Sequence, residues 1–453
     1  MTMTLVTLLI LLFTTSAQPI DTGDLTPPVI NYSALALLRQ RKQMPAYVYT
    51  VDTILKSVVT VGVPEDTVFK VRLNKDGDGP DTDDQRRKQL SRGSNGVFYL
   101  SNCGYLCKLK PDEVSRVMSL LFSPETRADP SAAFRDNRGF IPFGGEAGVS
   151  SFFESKEGFS YSSPESAVGN RFPEALEEGD VEFLEKVYEE ANKITSLLLE
   201  DVFMPYLNSV LGAGAGAAME EGETVLRTED IEKGGREGIM RAFNYLPCGD
   251  DGEAGGEAQL GSSPHTDWGL LTLILQSPSP SSLYFFRNES SKLTPDVWHP
   301  VPYKPNTVVI NTGDFLKLLS QVNHRAGERG IFASETTGTV KSPLHKVNHC
   351  SWSKEGGGGE GGGGAEEGRE GRWSFVYFSY PDASMDVTGA LDKVGGGEGA
   401  GGEGDGKGEY NTLTRGGVDG VATFGEWIKR KWGGVQAGSG QQEREVGIDG
   451  TGD

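Results

Sequence analysis

A histidine and an aspartate stand two residues apart at His265 and Asp267, where an apolar run begins. The segment from Pro264 to Leu273 predicts a turn that leads into a buried strand. Because side chains two residues apart on a strand project from the same face, the imidazole and the carboxylate could bind one metal ion together. The pair alone is weak evidence, since a surface histidine beside a solvated aspartate has the same sequence pattern.

A second histidine, His345, lies in another strand-like segment, from Lys341 to Val347. Two imidazoles and one carboxylate suit Fe(II), Mn(II) or Zn(II), and ligand type alone does not choose among these metals. The other histidines are His299 in a loop-like run, His324 in an insertion, and His349 shortly after His345. On a strand, His349 would lie several ångströms from His345 along the same face. His265, Asp267 and His345 are therefore candidate ligands of one metal ion.

A third chemical group follows on the β-rich run from Arg372 to Phe378. Strand alternation places Arg372 and Ser374 on one face. The planar fork of an arginine and the hydroxyl of a serine can together bind a carboxylate. The sequence thus predicts a metal site with an anchor for a small organic anion.

The elements around these residues change in type along the chain. Apolar residues recur at helical spacing from Asp180 to Val202, which predicts a long helix that packs on a core. From Ile239 onward, short strands and turns indicate a sandwich or jelly roll. Thr423 and Glu426 have the spacing of a capping box, which predicts a terminal helix.

Several segments resemble landmarks of one family, and they follow in that family's order. They are Gly96–Gly104, Arg138–Pro142, Ser155–Phe159, Met240–Pro247, the His265 and His345 segments, Val308–Asp314 and Arg372–Phe378. Together they resemble the 2-oxoglutarate and Fe(II)-dependent dioxygenase superfamily, specifically its isopenicillin N synthase-like branch. The resemblance extends over roughly residues 47–432 and is interrupted by acidic, glycine-rich insertions.

This resemblance implies a mainly β fold with flanking helices, in which a double-stranded β-helix (jelly-roll) core carries an α/β N-terminal region. It implies His265, Asp267 and His345, rather than His349, as the metal ligands. It also implies Fe(II) as the metal, 2-oxoglutarate and O2 as cosubstrates, and ascorbate as a candidate cofactor. Arg372 and Ser374 would bind the far carboxylate of 2-oxoglutarate, and Tyr245 is a candidate to bind its metal-side carboxylate. A small organic substrate would be oxidised, by hydroxylation in the usual case, with release of succinate and CO2. Its identity and the oligomeric state stay open.

Three alternatives follow from the same residues. A zinc hydrolase could use a similar ligand set, although it has no need of a fixed carboxylate anchor. An iron oxidase of this fold could use Arg372 and Ser374 to bind its primary substrate without 2-oxoglutarate. A jelly-roll binding protein that has lost activity is the third, and the retention of all five site residues argues against it.

Charge and cysteine usage narrow the class of protein further. The chain has 453 residues and a formal net charge of −21, with no basic block that would suit a nucleic acid. Four irregularly spaced cysteines are too few for a disulfide framework, so we expect Cys103 and Cys107 to be packed thiols.

The chain divides into four expected parts. An apolar run from Leu5 to Phe13 is too short to span a membrane and predicts a secretory signal over residues 1–17, cleaved after Ala17. Without cleavage, the alternative is a cytoplasmic protein. Residues 47–235 would form the N-terminal region with its support helix, and residues 236–432 the jelly-roll domain with its inserts. The glycine-rich composition from Glu355 to Gly371 predicts a flexible loop, and the composition of residues 433–453 predicts a disordered tail.

Overall fold

The computed structural model describes the parts of the chain that surround the predicted site. These are residues 27–32, 35, 54–55, 57–58, 96–143, 145, 154–207, 238–245, 260–279, 283–287, 297–321, 340–348, 372–387 and 420–431. The predicted signal, the insert after Glu355 and the tail lie outside the described residues, as do His324 and His349.

Strands of the described residues form two sheets. Their bounds are Val29–Asn31 (β1), Val97–Ser101 (β2), Gly139–Ile141 (β3), Lys156–Ser162 (β4), Ile239–Tyr245 (β5), Leu260–His265 (β6), Leu271–Gln276 (β7), Leu283–Arg287 (β8), Val297–Pro300 (β9), Thr307–Thr312 (β10), His345–Asn348 (β11) and Arg372–Ser379 (β12). The larger sheet has the order β1-β2-β10-β7-β12-β5-β4-β3, and the smaller has the order β6-β11-β8-β9. All their described pairings are antiparallel except that of β1 with β2.

Both faces of the larger sheet are buried. Successive side chains on a strand point to opposite sides, so each strand contributes residues to both faces. On one face, Phe243, Ile274 and Val376 belong to an apolar cluster that also contains Phe285 and Val347 of the smaller sheet. The two sheets therefore share an inner core. On the opposite face, residues of the same strands such as Ala242, Leu275 and Phe375 belong to a second cluster, shared with the helices.

The described helices that pack around the larger sheet are Pro111–Leu121 (α1), Pro124–Ala128 (α2), Glu178–Leu198 (α3), Asp314–Gln321 (α4) and residues 424–431 (α5). Helix α3 contacts β7 and β12, and it begins with a capping box between Glu177 and Asp180. Its buried stripe includes Leu184, Val187 and Ile194. Within the described part of the chain, no helix combines the length and the apolar composition that a membrane span requires.

The predicted terminal helix is confirmed in α5. The amide of Glu426 donates to Thr423 Oγ1 at 3.3 Å, and the Thr423 amide donates to Glu426 Oε2 at 3.2 Å. Trp427 is buried and its ring lies 5.7 Å from that of Phe315 on α4. Helix α4 begins at Asp314, and an acidic residue in the first turn of a helix interacts favourably with the helix dipole.

The mainly β architecture with flanking helices is confirmed, and two local predictions are wrong. Cys103 and Cys107 form a disulfide with a Cα–Cα distance of 5.1 Å, because the turn after β2 and the following 3₁₀ turn bring the two residues together. His299 lies in β9 rather than in a loop, because the backbone of this segment pairs with β8.

Replacement of a buried side chain of α3 tests the core between the helices and the larger sheet. Leu184→Ala removes a fully buried side chain, so we expect the free energy of unfolding to fall by about 2–5 kcal/mol. Chemical denaturation followed by circular dichroism measures the change. The matched control Glu182→Ala alters an exposed residue of the same helix and should stay within about 0.5 kcal/mol of the parent. An equal effect of the two substitutions would contradict the placement of the buried stripe.

Candidate metal centre

The two predicted histidines face each other across the smaller sheet. His265 is the last residue of β6 and His345 is the first of β11, and the antiparallel register of these strands pairs the two residues. Their ring centroids lie 4.3 Å apart. His345 is buried and its ring stacks on that of Phe285 at 5.1 Å, whereas 37% of the His265 side chain is exposed. His345 is therefore packed inside the core, whereas His265 lies at its edge.

Asp267 completes the cluster from a position that differs from the predicted one. It lies beyond the end of β6, in the segment that leads to β7, so it does not share a strand face with His265. Its backbone carbonyl accepts a hydrogen bond from the Asp314 amide at 2.7 Å, while Thr266 Oγ1 donates to Asp314 Oδ2 at 3.0 Å. These contacts with the start of α4 end the strand pairing and turn Asp267 back toward the histidines.

The side-chain atoms of this cluster are close enough to bind a common ion. Asp267 Oδ1 lies 3.8 Å from His265 Nε2, and Asp267 Oδ2 lies 3.7 Å from His345 Nε2. One ligand atom from each of the three residues lies within 4.8 Å of the others. No second cluster of this kind occurs among the residues described. The donor chemistry of two imidazoles and one carboxylate fits Fe(II) with coordination positions left open.

Hydrogen bonds orient each of the three side chains. His265 Nδ1 lies 2.7 Å from the carbonyl oxygen of Ser263, and His345 Nδ1 lies 3.0 Å from that of Pro343. Since a carbonyl can only accept, both Nδ1 atoms carry the proton and both Nε2 lone pairs stay available. Asn311 Nδ2 donates to Asp267 Oδ2 at 2.8 Å, in the buried interior.

The protonation states of the cluster also suit a metal. Although 37% of the His265 side chain is exposed, desolvation of its ring lowers the pKa of the imidazole, the positive charge of a protonated His345 lowers it further, and the pKa falls to about 4. Burial acts to raise the pKa of Asp267, but the two neighbouring imidazoles and the Asn311 hydrogen bond outweigh it and hold that pKa below its ordinary value. At neutral pH the site thus offers a neutral His265 and an ionised Asp267, which are the forms that bind metals.

The predicted anion anchor lies on the larger sheet and faces the same interior. Arg372 and Ser374 occupy the same side of β12 as Val376, which belongs to the inner core that Val347 of β11 also joins. Both are buried, with 6% and 1% exposure. Arg372 Nη2 donates to Gln276 Oε1 at 3.2 Å. Arg372 Nη1 and Ser374 Oγ have no hydrogen-bond partner among the described residues.

Tyr245 links the anchor to the metal-side sheet. It pairs with Arg372 across β5 and β12, and the guanidinium carbon lies 4.6 Å from the centre of its ring. On its other side the ring packs directly on Gly261 of β6, where an added Cβ would lie 2.6 Å from Tyr245 Cδ1. Any larger residue at position 261 would push the two sheets apart. The predicted contact of Tyr245 with a ligand stays a prediction.

Two residues of the site, Asn311 and Gln276, carry no function in the sequence-based prediction. Asn311 lies in a segment that was recognised as a family landmark, and its hydrogen-bonding side chain was the available signal. Gln276 gave no signal, because only the β7–β12 register places it beside Arg372.

The comparisons with known proteins agree with this geometry. Residues 236–381 match the model of the 2OG-Fe(II) oxygenase superfamily. A 2-oxoglutarate-dependent dioxygenase of Didymella fabae is 32% identical over 157 residues, which are 34% of this chain and 35% of that protein. The 1-aminocyclopropane-1-carboxylate oxidase 5 of Arabidopsis thaliana is 26% identical over 216 residues, 47% of this chain and 61% of its own. The chain thus spans less than two thirds of these curated relatives.

A solved structure supports the same fold. The full-length Neurospora crassa T7H in complex with alpha-KG is similar with a TM-score of 0.53 and 14% sequence identity. The likeness covers 91% of this chain and 98% of the other. At this identity it shows the fold alone. The matched segment, residues 236–381, contains all six predicted site residues, and its similarity to the 2OG-Fe(II) oxygenase superfamily confirms the resemblance found in the sequence.

Proposed function

We propose that the chain is an Fe(II)- and 2-oxoglutarate-dependent oxygenase that oxidises a small organic substrate and releases succinate and CO2. One observation carries the proposal. A buried arginine and a buried serine, each with a polar atom that lacks a partner among the described residues, face the same interior as a His-Asp-His cluster. A buried cation requires an anion to offset its desolvation, and a bound carboxylate would meet this need.

His265, Asp267 and His345 would bind the iron. Their hydrogen bonds to Ser263, Asn311 and Pro343 already direct the ligand atoms toward a common point, so little rearrangement is needed on binding. The single carboxylate gives the site a net charge of −1, which attracts a divalent cation. With only three protein ligands, the remaining coordination positions stay free for small molecules.

Arg372 and Ser374 would bind the far carboxylate of 2-oxoglutarate. The hydrogen bond from Arg372 to Gln276 and the contact with the Tyr245 ring hold the guanidinium in one plane. This leaves Nη1 and the Ser374 hydroxyl free to donate to the two oxygens of a carboxylate. When bound, the iron and 2-oxoglutarate supply the oxidising chemistry with O2, and the protein contributes binding, orientation and exclusion of water.

The finer architecture belongs to the same proposal. The two facing sheets and the fold likeness support a double-stranded β-helix over residues 236–432. Residues 47–235 would form the α/β N-terminal region, whose strands β2, β3 and β4 extend the larger sheet and whose helix α3 supports it.

Loss of His345 tests the metal site. His345→Ala removes the packed ligand, so we expect Fe(II) affinity in an anaerobic titration to fall below detection. The matched control His349→Ala changes the neighbouring histidine and should bind Fe(II) like the parent. The reverse result, with binding lost only in His349→Ala, would show that the second histidine ligand was assigned incorrectly.

Removal of the guanidinium tests the anchor. The loss of one side of a buried charge-assisted contact costs about 2–5 kcal/mol, so Arg372→Leu should raise the KM for 2-oxoglutarate by roughly thirty-fold or more and leave Fe(II) binding nearly unchanged. Arg135→Leu, a control at a mostly exposed arginine, should leave the KM at the parent value. If O2 is consumed with a confirmed substrate and no succinate appears, the protein is an oxidase that does not use 2-oxoglutarate.

We also propose that the chain enters the secretory pathway. The apolar run from Leu5 to Phe13 and the disulfide between Cys103 and Cys107 support this, because disulfides persist in oxidising compartments. N-terminal sequencing of protein from its native source should read from the residue after Ala17. An intact Met1 would contradict the proposal.

A further inference from the structure

A buried ion pair lies at the start of β4, outside the residues assigned to the metal and the anion anchor. Glu154 and Lys156 are 2% and 8% exposed, and Lys156 Nζ lies 2.9 Å from Glu154 Oε2. The ammonium also lies 4.7 Å from the centre of the Phe243 ring. A buried ion pair seldom stabilises a fold more than an apolar pair of the same size would, because both charges must be desolvated.

The contacts of this ion pair lead to His265. Glu154 Oε1 accepts hydrogen bonds from the Ser263 amide at 2.7 Å and from Ser263 Oγ at 2.6 Å. Lys156 Nζ donates to Ser262 Oγ at 3.2 Å. The carbonyl of Ser263, in turn, accepts from His265 Nδ1 at 2.7 Å. A single residue, Ser263, thus links the carboxylate of Glu154 to the carbonyl that orients the ligand.

We propose that Glu154 and Lys156 are positioning residues, which fix β6 at Ser262 and Ser263 so that the Ser263 carbonyl holds the His265 imidazole with Nε2 toward the metal. The inference rests on the proposed function of the His-Asp-His cluster. Lys156 keeps the carboxylate of Glu154 charged and directed at Ser263. A charged acceptor forms stronger hydrogen bonds with the amide and the hydroxyl than a neutral one would.

The two histidines differ in a way that explains why only one needs this support. His345 is held by the stacked ring of Phe285 and is 4% exposed. His265 stands at the end of its strand, with 37% of its side chain exposed, so packing restrains it less. Its orientation depends more on the Nδ1 hydrogen bond, and hence on the position of the Ser263 carbonyl.

Titration of the protein with Co(II), followed by visible absorption, measures the effect on metal affinity. Loss of a residue that orients a metal ligand typically weakens affinity by about 10–100-fold, and we expect this for Glu154→Ala. Glu154→Gln keeps an acceptor oxygen but loses the negative charge, which makes such hydrogen bonds about twice as strong. We therefore expect about half of the loss in the logarithm of Co(II) affinity, so that this variant binds Co(II) about 3–10-fold more weakly than the parent. If Glu154→Ala does not fold, Glu154→Gln carries the test.

The matched control is Glu157→Gln on β4, next to Lys156. Glu157 is buried and pairs with Arg127, whose Nε and Nη2 lie 2.7 Å from its two oxygens, but it points to the opposite face of β4. It makes no described contact with β6. Any loss of stability in this variant should come without a change in Co(II) affinity.

A spectroscopic readout separates positioning from a general loss of stability. In the Co(II)-loaded protein, the Nδ1 protons of the two ligand histidines give separate paramagnetically shifted proton signals. We expect Glu154→Gln to shift the His265 signal and to speed its exchange with water, while the His345 signal and both signals in Glu157→Gln stay unchanged.

The possible failures can be distinguished. If the parent binds no Co(II), or His345→Ala binds it equally well, the proposed function itself is wrong. If His345→Ala abolishes binding but Glu154→Gln and Glu157→Gln both match the parent in affinity and in proton signals, only the positioning role is overturned. An equal loss of affinity in both glutamate variants would also overturn it, since stability alone would then explain the loss.

Discussion

The pairing of β6 with β11 is the contact on which the rest of the site depends. It places His265 opposite His345 and brings their rings within 4.3 Å. A register shift of one residue would turn one of the two side chains to the other face of the sheet. The close approach of Tyr245 to Gly261 and the packing of Val347 in the inner core both oppose such a shift. The ligand geometry is therefore a consequence of sheet packing rather than of the histidines themselves.

Charge burial is the second constraint. The inner core contains Asp267, Arg372 and the pair of Glu154 with Lys156, all of them less than a tenth exposed. Each charge needs a partner in an interior of low dielectric. Asp267 has the imidazoles and Asn311, and Glu154 has Lys156 and Ser263. Arg372 contacts the amide oxygen of Gln276 and the ring of Tyr245, neither of which carries a negative charge. A bound carboxylate would offset the charge of the guanidinium.

Residue types, their order and the family resemblance led to His265, His345 and Arg372, because metal and carboxylate binding need particular side chains. The structure brings the two histidines together with Asp267, while the binding roles of these residues stay predictions. The placement of Asp267 on a strand was wrong, since the hydrogen bond from the Asp314 amide comes from a segment 47 residues later in the chain. Long-range contacts of this kind leave no local periodicity. The disulfide of Cys103 and Cys107 was missed for a related reason: spacing does not report how a turn folds.

If the metal cluster and the arginine anchor form one site, binding of the metal and of 2-oxoglutarate should be linked, and a titration can measure this linkage. Calorimetric titration would give the affinity for 2-oxoglutarate with and without Mn(II), and the affinity for Mn(II) with and without 2-oxoglutarate. If both ligands share the site, each should raise the affinity of the other by the same factor, and coupling of this kind typically amounts to about 5–150-fold. Equal affinities for 2-oxoglutarate in the presence and absence of Mn(II) would show that the two halves do not act together, and would contradict the account.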